Sequence, residues 1–310
     1  MTGYDQLLDG HQHYELVTSL IAHNLAQGTL AIGMDLDGTL VHATPGDHEN
    51  VPEDVVLENL LNNLNTATFG STFVLTGRPT EFERRIFPRR NFFIGTEHGS
   101  VISHYAGDVP RSRIGNAGQI QKLTAVFAEA INSSPLLRGV QIENHKTVTM
   151  TLGFTHIINP DNEKTISAEM TRKMDRMRHE IVDRSNQILA TFPEAENADS
   201  RLIVKDTVTP TNAVVEIMPA GACKAKSLDF LRQSSILKNH FTVFGGDSGG
   251  DSEVMEKVRA EGGICLGVGP KAPSCSHIVF QAPEHLRAYL NQFLDHEVAQ
   301  NRIRQPALAL

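Results

Sequence analysis

The sequence predicts an α/β fold, a doubly wound parallel sheet with a Rossmann-like core and an inserted α+β cap. Three observations lead there. Short apolar runs bounded by glycine or polar residues recur along the chain, as in "LAIGM", "STFVL", "FTVFG" and "GICLGV". Segments with helical spacing lie between several of them, and strands that alternate with helices build parallel sheets covered on both faces. A middle block breaks this alternation with polar–apolar strands and one long amphipathic helix.

Residues 12–27 read as a helix, because Leu16, Leu20 and Ile21 fall at helical spacing. "LAIGM", residues 30–34, is a short apolar run of the kind that forms a strand buried on both faces. A helix over 53–65 and a strand from Ser71 follow. In the middle block, "GVQIENHKTVTMTLGF" (139–154) alternates as a half-exposed antiparallel strand does. Residues 162–190 carry Ile166, Met170, Met174, Met177 and Ile181 on one helical face, which marks an amphipathic helix with a packing stripe. "RLIVKDTV" and "NAVVEIM" add two strands. Alternation then resumes with a helix over 224–234, strands from Phe241, Gly263 and His277, and a helix over 284–295. The expected organisation is an N-terminal helical segment (1–27), a core (28–112 and 220–296), an inserted cap (113–219) and a tail (297–310).

The formal net charge of −8 over 310 residues argues against nucleic acid as a partner, since that role needs a basic face. Arg84, Arg85, Arg89 and Arg90 form a local basic cluster, read as a solvated face or an anion-steering patch. Three cysteines, Cys223, Cys265 and Cys275, have no metal-type spacing and suit reduced thiols. No apolar run approaches the roughly 18 residues of a membrane span, and the N-terminus lacks a basic-then-apolar signal pattern. The expectation is a cytoplasmic protein with a small-molecule partner, no nucleic acid and no membrane.

The chemistry concentrates where the apolar runs end. "MDLDGTL" places Asp35 and Asp37 directly after the first buried strand. Side chains two apart on a strand share a face, so the two carboxylates are expected to project together, with Gly38 permitting a tight turn and an anion-binding nest. Ligands of open α/β sheets bind at the carboxyl ends of strands, where this pair emerges. A buried charge needs a partner, and a metal ion and a phosphate are the first candidates here. "GGDSGGDSE" supplies Asp247 and Asp251 at another strand end, and an all-oxygen cluster suits Mg²⁺. "LTGRP" adds the Thr76 hydroxyl and the Gly77 N–H, and Lys224 opens a helix after the middle block. A nucleophilic carboxylate, an acid/base carboxylate, a metal site, a hydroxyl and a cation are what phosphoryl transfer requires.

The four stretches, in this order, resemble the motifs of the haloacid dehalogenase-like hydrolases. The large insertion between the second and third resembles the C2-type cap of sugar phosphatases. "GTEHGS" (Glu97, His98), "EIMPAGACKAKSL" (Glu216, Lys224) and "TGRP" (Arg78) are similar to stretches of the trehalose-6-phosphate phosphatase family. The resemblance implies that Asp35 attacks phosphorus and ligates Mg²⁺. Asp37 acts as acid and then base, with its carbonyl on the metal. Thr76 and Lys224 hold phosphate oxygens, Asp247 binds Mg²⁺, and Asp251 orients a metal-bound water or Lys224. It further implies that Gly38, Gly77, Arg78, Glu97, His98, Glu143, Lys146 and Glu216 face the substrate. Two departures stand out. Ser248 occupies a position where that family carries a second aspartate, and "GDSGGD" is closer to the sucrose-phosphate and mannosyl-3-phosphoglycerate phosphatases. The usual Glu-x-Lys of the cap strand is here Glu143-Asn144-His145-Lys146, and "LGF" replaces a basic end. The expected activity is therefore hydrolysis of a sugar phosphate, with trehalose 6-phosphate foremost. Another glycosyl phosphate, a phosphomutase and a catalytically dead sugar-phosphate-binding module remain alternatives.

Overall fold

The computed structural model describes residues 10–42, 53–104, 111–112, 114, 117–137, 140–143, 145–153, 168–191, 198–209, 212–233, 237 and 240–295. Ile166, Asn144, Phe154 and the tail 297–310 lie outside the described residues, as do residues 1–9 at the start of the N-terminal segment.

Eight strands form the main sheet: β1 (Leu30–Met34), β2 (Thr72–Leu75), β3 (Phe93–Thr96), β4 (Val101–Ser103), β5 (Arg111–Ser112), β10 (Phe241–Gly246), β11 (Ile264–Val268) and β12 (Ile278–Phe280). Their spatial order is β12-β11-β10-β1-β2-β3-β4-β5. The pairs from β12 to β3 are parallel, and β4 and β5 add an antiparallel edge. β1 sits centrally with Ile32 opposite both Val243 and Thr72, which explains why all five of its residues are buried.

Helices cover both faces. On one face α1 (Gly10–Gln27), α2 (Val55–Ala67), α3 (Thr80–Ile86) and α8 (Pro283–Gln292) pack Ile21, Leu61, Phe82 and Leu286 against Leu30, Ile32 and Met34. On the other, α6 (Lys224–Gln233) and α7 (Ser252–Ala260) pack Leu228 and Val254 against Ala31, Phe73 and Phe244. Alternate residues of β1 thus feed opposite cores, as the period of two demands. The Asp54 side chain accepts from the Leu57 N–H at 2.9 Å and caps α2.

The middle block builds a second, antiparallel sheet, β6-β7-β9-β8, from β6 (Gln141–Ile142), β7 (Met150–Gly153), β8 (Leu202–Thr209) and β9 (Asn212–Pro219). α4 (Ala117–Ser133) and α5 (Ala168–Leu189) cover it. Met174, Met177 and Ile181 join Leu123, Phe127, Leu152 and Val215 in a separate core, so the methionine stripe is a packing face.

Two expectations change. Residues 139–154 do not form one strand: β6 and β7 are two short strands of a hairpin, paired Ile142 to Leu152. The chain bends between them, with His145 in the left-handed region at φ 69°. Polar–apolar alternation continues through such a bend, so periodicity alone does not reveal it. The basic cluster also divides. Arg84, Arg85 and Arg89 are exposed, whereas Arg90 is buried, 2.6 Å from Glu83 and donating to Ser103 Oγ at 2.6 Å. Arg90 is part of the core, neither solvated nor steering. Among the described residues no helix is long and apolar enough to cross a membrane.

Candidate active site

β1 delivers Asp35 to the C-terminal edge of the sheet, where its N–H still donates to Gly245 O at 2.9 Å. The strand ends there. The Leu40 and Val41 N–H groups fold back onto Leu36 O, and the Gly38 N–H donates to Val41 O at 2.7 Å. Gly38 has φ +81°, and a Cβ on it would lie 2.3 Å from Asp247 Oδ2. Glycine is therefore demanded twice, by the turn and by the close approach of Asp247. Its N–H is engaged with Val41 O in this turn.

Leaving the strand also separates the carboxylate pair. Asp35, 5% exposed, faces Lys224, whose Nζ lies 2.5 Å from Asp35 Oδ1 and 2.6 Å from Asp251 Oδ1. Asp37 faces Arg78, which donates through Nε at 2.9 Å and Nη2 at 2.6 Å in a bidentate fork. The Arg78 guanidinium also stacks over Phe82, 4.7 Å from its centroid. Arg78 is thus placed on the acid/base candidate rather than left open for substrate. Thr76 is fully buried, and its hydroxyl oxygen accepts from the Arg78 N–H at 3.1 Å.

Asp247 and Asp251 complete the edge. Asp251 Oδ2 accepts from the Asp247 N–H at 3.1 Å and the Ser248 N–H at 3.4 Å, which fixes the glycine-rich loop after β10. Carboxylate oxygens of Asp35, Asp247 and Asp251 all lie within 4.8 Å of one another. Burial and the neighbouring Asp251 raise the Asp35 pKa well above its ordinary value, against the pull of Lys224. Burial, then Asp251, pushes Asp247 to about 6. Burial alone would lower the Lys224 pKa, but Asp251 and Asp35 together raise it. The carboxylates therefore carry more negative charge than Lys224 offsets. An all-oxygen donor set in that condition fits a hard divalent cation.

The remaining expected residues cluster on the cap side. The His98 ring packs against Gly77, and His98 Nε2 lies 2.8 Å from Glu216 Oε1. Lys146 Nζ sits 3.1 Å from Glu143 Oε2, 3.6 Å from Glu216 Oε1 and 2.5 Å from Thr151 Oγ1, with 3% of its side chain exposed. Burial opposes ionisation of Glu216, but His98 and Lys146 hold its carboxyl far below the usual range. Glu97 stands apart: it is fully buried, and its carboxylate accepts hydrogen bonds only from the cap segment 147–149 among its described contacts.

Residues 32–272 match the family model described as haloacid dehalogenase-like hydrolase. The chain belongs to the haloacid dehalogenase-like hydrolases. Solved structures of similar fold include a trehalose-6-phosphate phosphatase related protein, 16% identical with a TM-score of 0.62, covering 89% of this chain and 99% of that one. The C-terminal domain of trehalose-6-phosphate phosphatase from C. albicans is 15% identical with a TM-score of 0.63, covering 90% and 96%. The C-terminal domain of a C. albicans trehalose synthase regulatory protein is 12% identical with a TM-score of 0.62, covering 89% and 98%. No relative was found among curated proteins.

In this haloacid dehalogenase-like hydrolase the structure brings Asp35, Lys224, Asp247 and Asp251 into one cluster, and it pairs Asp37 with Arg78. Reading the sequence alone missed the Arg78–Asp37 fork and the threonines Thr147 and Thr149. Neither leaves a signature of spacing, since each depends on two loops meeting at the sheet edge.

Proposed function

We propose that the chain is a Mg²⁺-dependent phosphatase for a sugar phosphate monoester, with trehalose 6-phosphate as the first substrate to test. The observation that carries this reading is Lys224, buried 2.5 Å from Asp35 and 2.6 Å from Asp251 beside the carboxylate of Asp247. A cation so placed holds Asp35 in one rotamer and offers the phosphoryl oxygens a positive wall.

In this account Asp35 Oδ attacks phosphorus while the ester oxygen departs, giving an aspartyl-phosphate. Asp37, protonated for that step, donates its proton to the departing sugar oxygen. It then takes a proton from the water that attacks the phosphoenzyme, so each carboxylate ends the cycle as it began. Asp35, Asp247 and the Asp37 carbonyl would hold Mg²⁺, which supplies neutralisation of the phosphoryl charge when bound. Thr76 and Lys224 hold phosphate oxygens, and Asp251 orients Lys224. The Arg78 fork holds the Asp37 carboxyl in one orientation at the sheet edge.

The cap cluster of Lys146, Glu143, Glu216 and His98 presents donors and acceptors suited to sugar hydroxyls. A different glycosyl phosphate is the second reading, favoured by Lys146 standing three residues beyond Glu143 across a bend. Phosphate release from a panel of sugar phosphates, with Mg²⁺ and with EDTA, separates these readings. Release from trehalose 6-phosphate above all others supports the first, and preference for another ester the second.

A further inference from the structure

Glu97 is the buried carboxylate that the mechanism leaves unused. It belongs to the core, in the turn after β3, yet all five hydrogen bonds to its carboxylate come from the cap. Oε1 accepts from the Thr147 N–H and Oγ1, both at 2.8 Å. Oε2 accepts from the Val148 N–H at 2.9 Å, the Thr149 N–H at 2.8 Å and Thr149 Oγ1 at 3.0 Å. A carboxylate offers about four lone-pair sites. Five donors saturate it, so no capacity is left for a substrate hydroxyl, and the expectation that Glu97 binds substrate gives way to another role.

The turn that carries it is unusual. Glu97, His98 and Gly99 have φ of 50°, 58° and 76°, three left-handed residues in succession, two of them not glycine. Such backbone persists only where its surroundings over-determine it. Here the Glu97 N–H donates to Arg78 O at 2.9 Å, the His98 N–H donates to Thr76 O at 2.8 Å, and Ser227 Oγ of α6 donates to Gly99 O at 2.9 Å. The turn is thereby tied to the Thr76–Arg78 loop and to the helix that begins at Lys224. On its other side it grips the cap one residue beyond Lys146.

We propose that Glu97 is a latch. It fixes the cap hairpin in place over the catalytic edge, and through it positions Lys146 against Glu143 and Glu216. It acts as a positioning residue, and its kinetic consequence rests on the phosphatase reading above. The latch itself does not.

Glu97→Gln tests it. The amide can present only one acceptor oxygen, so its NH₂ must face the backbone N–H of Thr147 or those of Val148 and Thr149. Thr147 is the lesser loss, since its hydroxyl can rotate to accept while one N–H goes unpaired. Loss of that buried bond corresponds to hydrogen exchange on the order of ten- to a hundredfold faster at residues 147–149. Amides of β1 in the same molecule serve as the control for global unfolding. Thr149→Val, which removes a hydroxyl donor and leaves the backbone bonds in place, should accelerate the same amides by a smaller factor. Unchanged exchange at 147–149 in Glu97→Gln, or acceleration equal to that of β1, would overturn the latch. In turnover, Glu97→Gln should lower kcat/KM for the preferred sugar phosphate by roughly tenfold or more and leave para-nitrophenyl phosphate hydrolysis within about twofold. An equal fall for both esters overturns the positioning of Lys146. If the wild-type chain hydrolyses no ester, the phosphatase reading fails and the exchange result still decides the latch.

Discussion

Replacing Lys224 with methionine should remove both activity and a measurable part of the protein's stability. Methionine keeps the length and volume of the side chain and deletes its charge. Two charge-assisted hydrogen bonds disappear, at 2.5 Å to Asp35 and 2.6 Å to Asp251, between groups that are each less than a tenth exposed. Breaking one side of such a buried pair costs about 3–5 kcal/mol, because the remaining charges stay buried without compensation. The carboxylates can relieve part of this by taking up a proton. Asp35 is already raised, and Asp247 is pushed to about 6 by burial and Asp251. The penalty should therefore approach about 3–5 kcal/mol near pH 8 and shrink near pH 5, below the Asp247 value of about 6. Urea unfolding of both proteins at the two pH values, in EDTA, reads it directly, with phosphate release as the companion assay. Added Mg²⁺ should restore part of the lost stability by supplying the missing positive charge. A change in unfolding free energy below about 0.5 kcal/mol at both pH values, the size of an ordinary surface substitution, would refute the reasoning that Lys224 neutralises this cluster.

Three further outcomes follow from the same geometry. Asp247→Ala should reproduce the effect of EDTA on phosphate release, and undiminished turnover in a verified metal-free preparation would remove the metal from this account. Glu143→Ala should lower kcat/KM for the preferred sugar phosphate while barely changing para-nitrophenyl phosphate hydrolysis, because Glu143 lies in the cap and pairs with Lys146 at 3.1 Å; equal losses would assign it to the chemistry or the fold. Glu216 is held ionised far below its ordinary 4.5 by His98 and Lys146 against its burial. Its folded value is depressed, so its stabilisation is fully present above about pH 4.5 and is lost as pH falls toward the folded value. Glu216→Gln should therefore flatten the fall of Tm between about pH 5 and pH 3, and an unchanged slope would show that Glu216 is not a source of acid sensitivity.

The parts of the fold written by local pattern were legible in the sequence. β1, β2, β10 and β11 are short apolar runs with buried neighbours on both sides, and α2, α6 and α8 follow the helical period. The edge was not. β4 has three residues and β5 two, too short for periodicity to register. The hairpin at 141–153 escaped because His145 bends the chain without a glycine or proline to mark the place. At the site, Asp35, Lys224, Asp247 and Asp251 were findable because each stands at a strand or helix end with its own local signature. The fork of Arg78 on Asp37 was not, since those residues are 41 positions apart and meet only when two loops close on one edge. Glu97 was noticed for its neighbours His98 and Gly99, but its partners Thr147 and Thr149 lie across the chain in the cap, and a saturated carboxylate leaves no trace in one dimension.

Phosphate release from trehalose 6-phosphate and a panel of other sugar phosphates, by the wild-type chain and by Asp35→Asn, tests the central claim most directly. The amide matches the carboxylate in shape but is a poor nucleophile and a weaker ligand. The account predicts Mg²⁺-dependent release by the wild type, abolished by EDTA and reduced by several orders of magnitude in a folded Asp35→Asn. Release by Asp35→Asn within about tenfold of wild type, or none from any ester by the wild type, would contradict it.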